Sequence, residues 1–133
     1  MITHKQTRVL IIDDELSMRV TLQDILADEG YDVSNAADGQ TAVNLCAEND
    51  YDVVIMDVRM PGLNGVDAFR QIRRHCEGVR VILMSAYGMD DLKEMALKDG
   101  AIAFLDKPLE IEKVIHLIAE ATETAILVVE DQK

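Results

Sequence analysis

Short strand-like runs and helix-period segments alternate five times along this chain, and no other feature restricts its fold as strongly. The runs are RVLII (8–12), YDVSNA (31–36), DVVIMD (52–57), VRVILMS (79–85) and AIAFLD (101–106). The helical segments are LSMRVTLQDILADEG (16–30), GQTAVNLCAEND (39–50), NGVDAFRQIRRHC (64–76), MDDLKEMALKDG (89–100) and EIEKVIHLIAEAT (110–122). Met18, Leu22, Ile25 and Leu26 share one helical face, as do Val66, Phe69 and Ile72. Gly30 closes the first helix, Asn64 caps the third, and Asp90 and Asp91 sit in the first turn of the fourth, where the helix dipole favours anions. Alternation of this kind predicts a parallel sheet with helices on both faces, and right-handed crossovers restrict its topology. The expected fold is a single doubly wound α/β domain with five parallel strands in the order 2-1-3-4-5. Its ligand crevice lies at the carboxyl ends of strands 1 and 3.

The length of 133 residues suits one core, with residues 1–6 as an N-terminal extension, 7–122 as the domain and 123–133 as a tail. No apolar run approaches the ~20 residues of a membrane span, and MITHKQTRV lacks a signal-peptide core, so a cytoplasmic protein is expected. A formal charge of −12 opposes direct nucleic-acid binding and anionic membranes. Cys46 and Cys76 have no metal-ligand spacing and read as two buried thiols. His4, His75 and His116 are isolated from one another and read as surface or packing residues.

The chemistry sits at the strand ends. Strand 1 ends in Asp13 and Asp14, strand 3 in Asp57, strand 4 in Ser85, and strand 5 runs into Lys107 and Pro108. Singly, each has an ordinary reading as a cap, a turn residue or a surface lysine; together at successive strand ends they do not. At ~5 Å and an effective dielectric of ~20, each carboxylate pair costs roughly 3 kcal/mol. Lys107 offsets part of that cost. A divalent cation would offset the rest, and an all-oxygen ligand set suits Mg²⁺ or Mn²⁺; alternatively one carboxylate stays protonated. A cation, a lysine and a hydroxyl around a carboxylate are the parts that hold a phosphoryl group. Asp57 can attack phosphorus without a general base, because it is already ionised.

The motifs IIDDE, VIMDVRMPGLNG, LMSAYG and LDKP, in this order and spacing, resemble those of the response-regulator receiver domain of two-component signalling, over residues 7 to 122. The resemblance implies a flavodoxin-like (βα)5 fold. It implies phosphorylation of Asp57 by a histidine kinase or histidine phosphotransfer protein. It implies Mg²⁺ held by Asp14 and Asp57, by Asp13 mainly through water, and by the backbone carbonyl of Arg59. Lys107 and Ser85 would hold the phosphoryl group, the Lys107–Pro108 bond would be cis, and Ser85 and Phe104 would form the switch. Ser85 stands where Thr is more frequent, and Phe104 where Tyr is frequent. Arg59 and Tyr87 occupy the positions that tune dephosphorylation, and their bulk implies slow hydrolysis. Catalysis would be limited to Mg²⁺-dependent self-phosphorylation and autodephosphorylation.

Two rival functions remain. A haloacid-dehalogenase-type Mg²⁺ phosphohydrolase needs Asp-x-Asp, whereas Asp57 is followed by Val58 and Arg59. A non-phosphorylated receiver-like interaction module would usually lack the acidic pair, the acceptor or the lysine. The last helix carries Ile111, Val114, Ile115, Leu117 and Ile118, a stripe wider than one sheet face needs. It reads either as a deeply buried helix or as part of a homodimer or partner surface made by the fourth helix, fifth strand and fifth helix. In the tail, ILVVEDQ (126–132) resembles VLIIDDE (9–15). That segment reads as a linker and the start of a second domain, as an edge-pairing strand, or as a loose apolar end.

Overall fold

The structure, a computed structural model, describes residues 6–59, 65–85 and 90–131. Ten elements alternate: β1 (Arg8–Ile12), α1 (Leu16–Asp28), β2 (Asp32–Ala36), α2 (Gly39–Glu48), β3 (Val53–Asp57), α3 (Gly65–His75), β4 (Arg80–Ser85), α4 (Asp90–Lys98), β5 (Ala103–Asp106) and α5 (Ile111–Asp131). The strands form one parallel sheet in the order β2-β1-β3-β4-β5.

Between their end residues the central strands β1, β3 and β4 are apolar throughout, because both faces of the sheet are covered. Period-two alternation divides their side chains between two core layers. Leu10, Ile12, Val54, Met56 and Leu83 pack with Ala42 and Val43 of α2 and Phe69 and Ile72 of α3. Val9, Ile11, Val53, Ile55, Ile82 and Met84 pack with Leu22 and Leu26 of α1 and Val114 and Ile118 of α5. Burying each such side chain contributes roughly 1.5–3 kcal/mol, which makes the strand register expensive to shift. Cys46 and Cys76 are buried free thiols, whereas His75 and His116 are exposed.

Gly30 ends α1 in the left-handed region at φ +97, and the Tyr31 N–H reaches back to the Leu26 carbonyl. The tail departs from its edge-strand reading: α5 continues as helix to Asp131. Residues 111–131 contain neither Gly nor Pro, and extending an existing helix costs far less than nucleating a new element. The Asn64 cap and Tyr87 lie outside the described residues.

Candidate functional site

The sheet register brings the acidic strand ends together. Ile12 pairs with Met56, so the residues that follow, Asp13 and Asp57, leave β1 and β3 at the same level. Asp13, Asp57 and Lys107 also continue one parity of the pleat, that of Ile11, Ile55 and Leu105, which faces α1 and α5. Lys107 can therefore reach both acids. Its Nζ lies 2.8 Å from Asp13 Oδ2 and 2.6 Å from Asp57 Oδ2. Ligand oxygens of Asp13, Asp14 and Asp57 all lie within 4.8 Å of one another. Asp13 and Asp57 are buried, and Asp14 is exposed.

Each buried carboxylate is held at both oxygens. Asp13 Oδ1 accepts the Glu15 N–H at 2.9 Å, and Asp57 Oδ1 accepts the Arg59 N–H at 2.8 Å. Neither Asp13 nor Asp14 is the N-cap of α1; Glu15 occupies that position, without a side-chain cap bond. Burial draws the Lys107 ammonium down, but hydrogen bonds and attraction from Asp13 and Asp57 outweigh it, leaving its pKa above the ordinary lysine value. One ammonium faces three carboxyl groups at this rim. A carboxylate has about four lone-pair sites, so Asp57 retains acceptor capacity beyond Lys107 and the Arg59 N–H. The all-oxygen donor set, two buried acids and one water-facing acid fit a hard divalent cation.

Ser85 is fully buried at the end of β4, and its carbonyl accepts the Lys107 N–H at 2.7 Å. The Lys107–Pro108 peptide is cis. Phe104 pairs in register with Leu83, two residues before Ser85, and its ring is already buried in the α2–α3 core layer. Arg59 is exposed beside Asp57. Sequence patterns do not reveal two further contacts. Arg19 Nη1 donates to the Asp13 carbonyl at 2.7 Å while its Nε donates to Asn35 Oδ1 at 3.2 Å, tying α1 and β2 to the acidic turn. Gly65 presses onto the backbone of Val58. The pair Asn64-Gly65 reads as a helix start, but nothing local signals that close approach.

Comparison with known proteins agrees with this geometry. Residues 9–119 match the family model described as the response regulator receiver domain. The chain is 36% identical over 117 residues to the chemotaxis protein CheY of Thermotoga maritima, covering 87% of this chain and 98% of the relative. It is 31% identical over 107 residues to sporulation initiation phosphotransferase F of Bacillus subtilis, covering 80% and 86% respectively. A solved response regulator receiver domain protein from Clostridium thermocellum superposes with a TM-score of 0.84 at 30% identity, covering 92% of this chain and 98% of that one. Fold, acidic rim and sequence similarity lead to one assignment: the chain belongs to the response regulator receiver domains of two-component signalling.

Proposed function

We propose that Asp57 accepts a phosphoryl group from a histidine kinase or histidine phosphotransfer protein, and that the resulting change is read at the surface formed by α4, β5 and α5. The observation that carries this reading is the double engagement of Lys107 with Asp13 and Asp57 inside a cluster of three carboxylates. An oxygen of Asp57 forms the new O–P bond while the P–N bond to the donor imidazole breaks, and the imidazole nitrogen keeps the electron pair. Lys107 neutralises charge on the transferring group, and the Ser85 hydroxyl accompanies it into place. Asp13, Asp14, Asp57 and the Arg59 carbonyl would hold Mg²⁺ or Mn²⁺, which when bound supplies charge neutralisation for the phosphoryl oxygens. Arg59 and Tyr87 would slow hydrolysis of the acyl phosphate through their bulk.

The output reading rests on exposed apolar side chains. Met95 and Leu97 on α4 and Ile102 before β5 are 39–44% exposed. Val114 and Ile118 of α5 are fully buried, while Ile115 and Leu117 are only partly covered. The added charge, about −1.5 to −2, would bias Ser85 and Phe104, the pair that links the rim to this surface. A homodimer or a partner protein fits that surface. No helix among the described residues is long and apolar enough to cross a membrane, and the reading places the protein in the cytoplasm without direct nucleic-acid contact.

Incubation with Mg²⁺ and acetyl phosphate, followed by intact mass and peptide mapping, tests the assignment. One phosphoryl adduct on Asp57 is expected, and none in Asp57→Asn. Equal labelling of that variant would refute the acceptor assignment, and sustained turnover of a generic phosphatase substrate would favour a hydrolase instead.

A further inference from the structure

Gly65 opens α3 without needing a glycine's backbone freedom: the described glycines at positive φ are Gly30, Gly78 and Gly100. Space, not conformation, excludes a side chain at position 65. A Cβ there would lie 2.6 Å from the Val58 carbonyl oxygen, 2.8 Å from its carbonyl carbon and closer still to its Cα. These are backbone atoms and cannot swing aside as a side chain could. The Gly65 N–H donates to the same Val58 oxygen at 3.2 Å. From the other side, the Val58 N–H donates to the Met84 carbonyl at 3.0 Å. Val58 is therefore clamped between the start of α3 and β4. One residue further on, the Arg59 N–H donates to Asp57 Oδ1, while Lys107 holds Oδ2.

We infer that Gly65 is a positioning residue for the acceptor. By lacking a side chain it lets α3 close on Val58, which aims the Arg59 N–H at Oδ1 and fixes the orientation of the Asp57 carboxylate. This inference rests on the phosphotransfer reading above. The terminal torsion of an aspartate is broad and softly restrained. With Val58 displaced, Oδ1 loses its fixed donor, and Lys107 is the remaining restraint on the group among the described residues. The Arg59 carbonyl, the proposed backbone metal ligand, belongs to the same displaced residue.

The test compares wild type, Gly65→Ala and Ile118→Val, the last a mild core variant in the opposite layer. Mg²⁺ affinity is measured by calorimetry, acetyl-phosphate labelling by intact mass, and amide exchange by NMR. Gly65→Ala is expected to lose about 10–100-fold in Mg²⁺ affinity and labelling rate, the range seen when groups supporting a metal ligand are removed. Its Arg59 amide should exchange faster, whereas Ile118→Val should lose stability but neither activity. Wild-type affinity and labelling in Gly65→Ala would overturn the inference, as would losses no larger than its unfolded fraction explains. If Gly65→Ala does not fold, wild-type exchange decides: Mg²⁺ should slow the Arg59 and Gly65 amides together, and an unchanged Gly65 amide overturns the inference. A wild type that neither binds Mg²⁺ nor accepts phosphate refutes the phosphotransfer reading instead. The Arg59 amide in Gly65→Ala would then still report whether position 65 controls the carboxylate's donor.

Discussion

Asp14 contributes charge to the rim but makes no hydrogen bond or ion pair among the described residues. Its repulsion from Asp13 and Asp57 is therefore offset by no direct partner of its own among the described residues, only by the Lys107 ammonium that those two acids hold. Asp14→Asn is expected to raise the stability of the metal-free protein by up to about 1 kcal/mol, a small figure because the group is exposed and screened. Stabilisation by added Mg²⁺ should weaken in the same variant. Denaturant unfolding with and without Mg²⁺ checks both, and a less stable metal-free variant would contradict the repulsion argument. Cys46 offers a different test. Burial, with Cys76 beside it, pushes its thiol from 9.0 up to about 12. The folded protein then retains a proton that the unfolded chain releases, so stability is unaffected below pH 9.0 and falls as pH rises toward 12. Between about pH 8 and about pH 11, wild type should lose more stability than Cys46→Ala; equal losses in urea titrations would count against this.

Helix ends give α2 and α3 distinct anchors. Asp38 caps α2 by accepting the Thr41 N–H at 2.7 Å. The backbone and side-chain hydrogen bonds from Thr41 hold its carboxyl below the ordinary 3.8. A depressed value means the stabilisation is present above pH 3.8 and is lost as pH falls through the lower folded value. Asp38→Ala should cost about 1 kcal/mol near neutral pH, and the difference from wild type should shrink in acid. A pH-independent difference in melting would show that the cap acts by something other than its charge. At α3, Arg70 pairs with the Asp99 carboxylate at 3.3 Å, and Arg73 donates to the Asp99 carbonyl. These contacts tie the exposed face of α3 to the turn after α4, so much of its basic surface has a structural use. Its buried face supports the inner sheet layer and, through Gly65, the acceptor strand.

Among the described residues, the apolar anchors of α5 that reach a core layer are Ile111, Val114, Ile115, Leu117 and Ile118. The helix then runs on to Asp131, beyond the span that matches the family model. We therefore propose a domain boundary near Thr122. Ending the chain there should leave acetyl-phosphate labelling unchanged and melting nearly so. A large loss of stability would mean that residues 123–131 belong to the folded unit. Labelling retained together with a change in oligomeric state, read by light scattering, would instead place those residues in the output surface.

Much of this was legible from hydropathy and spacing. The βα alternation predicted the strand order, and the apolar runs predicted strands buried on both faces. The ends of those runs picked out Asp13, Asp14, Asp57, Ser85 and Lys107 before any distance was known. The length of α5, the N-cap at Glu15, the Arg19 contact to the Asp13 carbonyl and the close approach of Gly65 to Val58 were not legible. Periodicity is a local property: it assigns faces and ends, and those follow from the order of residue types. Which oxygen meets which donor depends on register and on backbone contacts between segments far apart in the chain. Lys107 is 94 residues from Asp13, and their contact exists only because the parallel sheet places β1, β3 and β5 with their carboxyl ends on one rim.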